Sequence, residues 1–147
     1  MTVRELMAKH PHFGRLSSDD LDSLVAALDV RDFPDGHVFT REGAHTDAVF
    51  VVIAGDVEVA RDRSGVHHEL NHMREGELFG LIALVGHAHR AATCRARGAC
   101  TVGTWAGPVA HLLFNQCAAI AHAFQLALAT QLAKDFRHIE QRVRSAL

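Results

Sequence analysis

The spacing of apolar residues changes twice along the chain, which predicts helices at both ends and strands between them. Between residues 21 and 28 an apolar residue recurs every three or four positions, as on the buried face of a helix. Ser17 stands before this run and Asp20 three residues later, a variant of the capping box that begins helices. The N-terminal part of the chain is therefore predicted to be helical.

After residue 31 the helical spacing gives way to short apolar and β-branched runs, each bounded by turn residues. Ser64 and Gly65 are predicted to close a hairpin. The run at 48–54 is apolar throughout, which suits a strand that is buried on both faces. Strands that follow one another at intervals of about ten residues indicate a sandwich or a jelly-roll barrel. The predicted strands cover residues 37–40, 48–54, 56–61, 66–71, 91–97 and 101–106.

From Pro108 onward the pattern is helical again, and proline suits the first turn of a helix. A long stripe of apolar residues follows at steps of three and four. A stripe of this length is expected to cover the barrel, to pair with a second chain, or to do both. Its members are Ile120, Phe124, Leu128, Leu132, Phe136, Ile139 and Val143.

Composition excludes several classes of protein. The 147 residues are 48% hydrophobic with a net charge of −2, which fits one globular domain without long-range attraction to nucleic acid or an acidic membrane. The longest apolar run is far too short to span a bilayer. Three irregularly spaced cysteines favour a reducing cytoplasm. The twelve histidines are predicted to be solvated strand and loop residues, with adventitious metal binding or a pH response as alternatives.

The segment from Gly76 to Thr93, GELFGLIALVGHAHRAAT, carries the clearest candidate chemistry. Its glycines allow the backbone to approach a ligand closely, and the free amides at the start of a short helix favour an anion. Arg90 can add a planar, bidentate clamp for a phosphate group. Glu77 is predicted to accept a hydrogen bond within the loop, and Thr93 to stabilise the strand. These features predict a phosphate pocket.

Taken together, the helix, the strands and this embedded turn resemble the cyclic nucleotide-binding domain family over nearly the whole chain. The phosphate-binding cassette of that family usually reads F-G-E-[LI]-A-L, then a loop, then Arg-x-Ala-[Ser/Thr]. The segment VFVVIAGDVEV looks like the family's central hairpin, with Gly55 at the turn. The resemblance implies one domain over 1–147, with N-terminal helices at 1–30, a β-barrel at 31–107 and C-terminal helices at 108–147.

By resemblance, the fold is mainly β, an eight-stranded antiparallel jelly-roll barrel with an N-terminal helix, a short cassette helix and two C-terminal helices. The cassette covers residues 76–93. No cofactor is required, and cAMP or a related cyclic nucleotide is the candidate ligand. The implied ligand-binding residues are Phe79, Gly80, Leu81, Ile82, Ala83, Arg90, Ala91 and Ala92.

One position departs from the family pattern. Leu81 stands where the family has a glutamate that accepts a hydrogen bond from the ribose 2′-hydroxyl. A buried hydroxyl without a partner costs roughly 1–3 kcal/mol, so binding is expected to be weakened. Leu81 either lines the ribose side of the pocket or plugs it. Many cAMP sites of the family have alanine at the position of Ala91, and cGMP sites often have a hydroxyl residue there. The resemblance therefore favours cAMP.

Three functions follow as hypotheses. The first is a non-enzymatic, cytoplasmic regulatory module that senses a cyclic nucleotide or a related phosphate ligand. The second is a ligand-free domain that serves as a dimerisation or protein-interaction module. The third, a metal enzyme of the cupin type, fails because His87-Ala88-His89 lacks the glutamate that such sites need three or four residues later. A homodimer through the C-terminal helix is expected, and a protein partner is a further possibility. Neither a DNA-binding unit nor a membrane segment is expected.

Overall fold

A computed structural model describes residues 1–43, 47–81 and 92–146. A 3-10 turn, Phe13–Arg15, lies between the first two helices. The helices are α1 Val3–Ala8, α2 Ser18–Ala26, α3 Gly107–Gln116 and α4 Ala118–Ala146. The strands are β1 Asp29–Phe33, β2 Val38–Thr40, β3 Val49–Arg63, β4 Val66–Met73, β5 Leu78–Phe79 and β6 Thr93–Trp105.

The six strands of the described residues form one antiparallel sheet with the order β1-β6-β3-β4. Strand β2 pairs with β6, and β5 pairs with β3. The architecture is therefore mainly antiparallel β with flanking helices, as predicted. The count of eight strands concerns the whole chain and stays a prediction.

Two predicted strand ends are wrong, because β3 and β6 each run through a glycine. Gly55 lies inside β3 and Gly98 inside β6, both with positive φ (92° and 76°). The pairing passes from Ala54–Thr101 to Asp56–Arg97, so one residue of β3 lies opposite three of β6. Such a bulge accommodates the positive φ of Gly55 while the pairing of β3 with β6 continues, so Gly55 is not at a hairpin turn. The hairpin predicted at residues 64–65 is confirmed between β3 and β4.

Strand β3 separates two apolar cores, because successive side chains of a strand point to opposite faces. Val49 and Val51 belong to one core, and Phe50 and Val52 to the other. The strand is thus buried on both faces at 49–52, as its apolar sequence predicts. The helix-side core also contains Leu6, Met7, Phe13, Leu21, Leu24, Leu78, Leu81, Trp105, Ile120 and Phe124. The strand-side core also contains Val57, Met73, Phe79, Cys94, Ala96, Cys100 and Val102.

Trp105, the single tryptophan, joins the helices to the end of β6. Its indole N–H donates to the backbone oxygen of Leu24 at 3.0 Å. Its ring meets those of Phe13 and Phe124 edge-on, with centroids 6.1 and 5.1 Å away. Because a buried indole needs a hydrogen-bond partner, this contact positions α2 as well as filling space.

The helix signals of the sequence are confirmed where they depend on local chemistry. The hydroxyl of Ser17 accepts the amide of Asp20 at 3.2 Å and begins α2. Pro108 lies in the first turn of α3. Among the described residues, no helix is both long and apolar enough to cross a bilayer.

The apolar stripe of α4 divides into two parts. Ile120 and Phe124 are buried, and Leu128 packs against the helix-side core. Leu132 and Val143, by contrast, are 48% and 54% exposed. The first half of α4 thus covers this chain's own core, while the second half carries apolar side chains away from it.

We predict that Gly55→Ala destabilises the fold more than Gly65→Ala. Both glycines have positive φ, so both substitutions carry a backbone cost of roughly 1–2 kcal/mol. A Cβ at Gly55 would also lie 2.8 Å from the Cβ of Cys100, whereas a Cβ at Gly65 meets nothing within 4 Å. Urea denaturation should show a loss of about 2–4 kcal/mol for Gly55→Ala and about half of that for Gly65→Ala. Equal losses would contradict the bulge packing.

Candidate functional site

The candidate ligand residues are only partly within the described chain. Phe79, Gly80, Leu81 and Ala92 are described. The other four predicted contacts, which include the arginine clamp, lie outside the described residues: Ile82, Ala83, Arg90 and Ala91. The structure therefore shows how the chain enters and leaves the cassette.

A tight turn leads into the cassette. The Glu77 carboxylate accepts the amide of Arg74 at 3.1 Å, and the Glu77 amide donates back to the Arg74 oxygen at 2.9 Å. Gly76 has a φ of 85° and donates its amide to the Val52 oxygen at 2.8 Å. Glu77 is thus a hydrogen-bond acceptor, as predicted, and its donor lies in the turn before the cassette. The turn is thereby attached to β3.

Phe79 anchors the start of the cassette in the strand-side core. Its side chain is 3% exposed and stacks on Phe50, with ring centroids 4.8 Å apart and planes 9° apart. The ring of Phe39 meets it edge-on at 5.4 Å. Gly80 follows with a φ of 78°, a conformation that glycine adopts at little cost. The backbone therefore turns sharply where the sequence predicts close approach to a ligand.

Leu81 lies on the other side of this turn. Its side chain is 4% exposed and belongs to the helix-side core, together with Leu6, Leu78 and Ala127. Between Phe79 and Leu81 the chain thus passes from one core to the other. The departure from the family pattern therefore places an apolar side chain among the helices.

The chain leaves the cassette at Ala92 and enters β6 at Thr93. The Thr93 hydroxyl accepts the amide of Glu42 at 2.9 Å, which ties β6 to the end of β2. Thr93 also pairs with Ala60 of β3. Its side chain thus stabilises the strand end, as predicted.

The cassette joins the sheet at two points on β3. Between these points, one face of β3 and β4 is directed towards the strand-side core. Val59 packs against that core and lies directly opposite Asn71. Directly opposed residues of antiparallel strands share a face, so Asn71 is on the same side. The register shifts beside this pair, and Leu70 has no opposite residue. Sequence reasoning did not select Asn71, although the alternation around Val59 was a signal for this face.

The opposite face of the same strands carries charged groups instead. Arg97 donates to Glu69 at 2.7 Å and lies 3.4 Å from Glu58. His67 contacts Glu58 through Nε2 at 2.5 Å and Asp62 through Nδ1 at 3.2 Å. Hydrogen bonding to Glu58, and then to Asp62, raises the pKa of His67. This face is solvated, and no group of side chains that could hold a metal ion occurs among the described residues.

A cavity of about 310 Å³ lies on the helix side of the cassette entry. Residues of the N-terminal segment and of α4 both line it, and Leu81 is part of its wall. Apolar side chains and groups of both charges line it, so its wall has no dominant charge. The lining residues are Leu6, Lys9, His10, Pro11, His12, Glu75, Gly76, Glu77, Leu78, Leu81, Ala127, Thr130, Gln131 and Lys134.

Comparison with known proteins agrees with this geometry. Residues 30–114, more than half of the chain, match the family model described as the cyclic nucleotide-binding domain. A cAMP-dependent protein kinase regulatory subunit of Mycosarcoma maydis is 32% identical over 89 residues, which is 60% of this chain and 17% of that protein. A cyclic nucleotide-gated potassium channel of Rhizobium etli is 35% identical over 92 residues, 63% of this chain and 24% of the channel. The chain thus matches only a minor part of these relatives.

Solved structures show the same fold. A cyclic nucleotide-binding domain from Methylobacillus flagellatus superposes with a TM-score of 0.83 at 18% identity, over 99% of this chain and 82% of that one. The catabolite activator protein of Thermus thermophilus superposes with a TM-score of 0.76 at 23% identity, over 92% and 62%. With the family model matched across the strands and the cassette, the chain belongs to the cyclic nucleotide-binding domain family.

Proposed function

We propose that this chain is a non-enzymatic, cytoplasmic regulatory module that binds a cyclic nucleotide, cAMP in preference to cGMP. The observation that carries the proposal is the attachment of both ends of the cassette to β3. Phe79 pairs with Phe50 at the entry, and Thr93 pairs with Ala60 at the exit. The intervening residues, which contain the phosphate motif, therefore start and end on the strand that carries Val59.

The phosphate chemistry of the proposal rests on the sequence motif. Arg90 is ten residues beyond Gly80, and its guanidinium is proposed to hold the phosphate in a bidentate contact. The amides of Leu81, Ile82 and Ala83 are proposed to add donors at the start of the cassette helix. Ala91 is the basis for preferring cAMP.

The names of relatives support the choice of ligand class. The matched proteins include regulatory subunits of cAMP-dependent protein kinases, and one superposed structure is the regulatory domain of Toxoplasma gondii protein kinase A with cAMP. Ligand binding is proposed to shift the packing of the C-terminal helices. A ligand shifts such an equilibrium only by its difference in affinity for the two arrangements.

We also propose a homodimer through the C-terminal helix, over residues 119–145. The support is the uncovered half of the α4 stripe, where Leu132 and Val143 are exposed. The alternative function, a ligand-free dimerisation or protein-interaction module, uses the same surface and is favoured by the apolar Leu81. Calorimetry with millimolar cAMP separates the two, because a ligand-free module gives neither heat nor a thermal shift.

We predict that Arg90→Ala weakens cAMP binding by about 100-fold or more, since two charge-assisted hydrogen bonds are lost. Isothermal titration calorimetry with cAMP and cGMP measures this. Arg41→Ala, which removes an exposed arginine outside the cassette, is the matched control and should bind like the parent. Equal affinity of the Arg90→Ala variant and the parent would refute the phosphate assignment.

We predict that Leu81→Glu lowers the free energy of unfolding by about 2–4 kcal/mol, because it buries a carboxylate in the helix-side core. The volume-conserving Leu81→Met is the control and should cost less than about 1.5 kcal/mol. Denaturation and cAMP calorimetry are run on both variants. A gain in cAMP affinity with undiminished stability would show instead that Leu81 occupies the ribose position.

We predict that Leu132→Glu shifts the chain from dimer to monomer, because it places a charge on the uncovered stripe. Leu112→Glu changes a leucine of α3 that is also exposed, at 56%, and should leave the dimer intact. Sedimentation velocity over a range of concentrations distinguishes the two variants. A parent protein that stays monomeric at every concentration would contradict the proposed dimer.

A further inference from the structure

His10 caps the 3-10 turn that follows α1. Its Nδ1 accepts the backbone amides of His12 and Phe13, at 3.1 and 3.3 Å. A ring nitrogen accepts hydrogen bonds only while it carries no proton. His10 must therefore be neutral, with its hydrogen on Nε2, for this cap to exist.

The surroundings of His10 also favour the neutral ring. The imidazole is half-buried and stacks on Phe13 with centroids 4.4 Å apart. Burial, and then the charges of His12 and Lys134, lower the pKa of His10 from 6.5 to about 4. The cavity beside it also contains Lys9, Glu75 and Glu77. The two carboxylates would favour a charged ring, but burial and the cations outweigh them.

His12 connects this segment to α4, and its bond has a defined direction. Its Nε2 lies 2.9 Å from the hydroxyl oxygen of Thr130. The single hydrogen of that hydroxyl is donated to the backbone oxygen of Leu126, also at 2.9 Å. His12 must therefore be the donor to Thr130. This bond therefore does not need an unprotonated nitrogen, in contrast to the bonds that His10 accepts.

The cap therefore depends on His10 alone. Protonation of His10 at Nδ1 removes the acceptor for the amides of His12 and Phe13. Phe13 is fully buried, and its ring meets that of Phe124 of α4 edge-on at 5.0 Å. Loss of the cap therefore loosens the backbone that holds Phe13 against α4.

We propose that residues 10–13 form an acid-sensitive latch, in which neutral His10 holds the N-terminal segment on α4 and protonated His10 releases it. The latch is a property of the folded chain without ligand. Its effect on nucleotide binding, a weaker coupling between the cassette and α4 in acid, rests on the proposed function.

The direction of the response follows from linkage. The pKa of His10 is lower in the latched state than in the released state, where it is close to 6.5. The latch is therefore fully stable above pH 6.5 and loses stability as the pH falls from 6.5 towards 4. The half-exposed ring reduces the size of the effect through solvent screening. Between pH 7.5 and pH 4.5 the ratio of latched to released protein should fall by roughly tenfold or more.

Trp105 provides a direct readout, because its ring touches both Phe13 and Phe124. Its emission and the backbone amide signals of residues 12 and 13 are followed by fluorescence and NMR from pH 7.5 to 4. His10→Asn is the key variant, since an asparagine oxygen can replace Nδ1 as acceptor and does not titrate. His12→Gln keeps a donor for Thr130 and is the matched control.

In the parent and in His12→Gln, the Phe13 and Trp105 signals of the latched state should weaken between pH 6.5 and 4, while the amides of β3 and β6 stay unchanged. His10→Asn should show no transition. A transition of the same midpoint in His10→Asn would overturn the proposal, as would a His10 pKa above 6 by NMR in the parent. Calorimetry with cAMP at pH 7.5, where the latch is closed, tests the proposed function separately.

Discussion

The alternation of side chains along β3 is the constraint on which the structure depends. Because Val49 and Val51 face the helices and Phe50 and Val52 face the strands, one strand is the shared wall of two cores. A shift of one residue in its pairing would exchange the two sets of side chains. The long ladder with β6 prevents such a shift, and the bulge at Gly55 absorbs a mismatch within it.

The cassette packs into both of the cores that β3 separates. Phe79 anchors its entry on the strand side, and Leu81, two residues later, packs on the helix side. The turn at Gly80 makes that crossing possible, since glycine tolerates a positive φ. A ligand that displaced this turn would act on both cores at once. Under the proposed function, this turn is a route by which a phosphate ligand would influence helices that it does not touch.

On the helix side, the N-terminal segment makes a second connection to α4, beside that of Leu81. His12 donates to Thr130, and Phe13 packs on Phe124 beneath the stacked ring of His10. The N-terminal segment therefore contacts the first half of α4. The second half of α4 carries apolar side chains that are outside the helix-side core. The proposed sensing, latching and pairing with a second chain would therefore involve different parts of the molecule.

The sequence by itself determined the features that depend on neighbouring residues. Local chemistry and periodicity predict the cap at Ser17 and the hairpin at 64–65. They also predict that β3 is buried on both faces near Phe50. The family of the chain also followed, because the cassette motif is contiguous. The tertiary structure decided what depends on distant partners. The sequence predicts a turn at Gly55, whereas the structure has a bulge there, which is visible only against the opposite strand.

Leu81 is the clearest residue whose surroundings no local pattern reveals. Its spacing identified it as a departure from the family motif, but only packing shows that it shares the helix-side core with Leu6 and Ala127, which are far away in the chain. The same holds for the protonation state of His10. Local sequence does not reveal it, because it depends on which backbone amides donate to Nδ1 in the folded chain. Local sequence sets which contacts are possible, and the long-range packing of the chain selects among them.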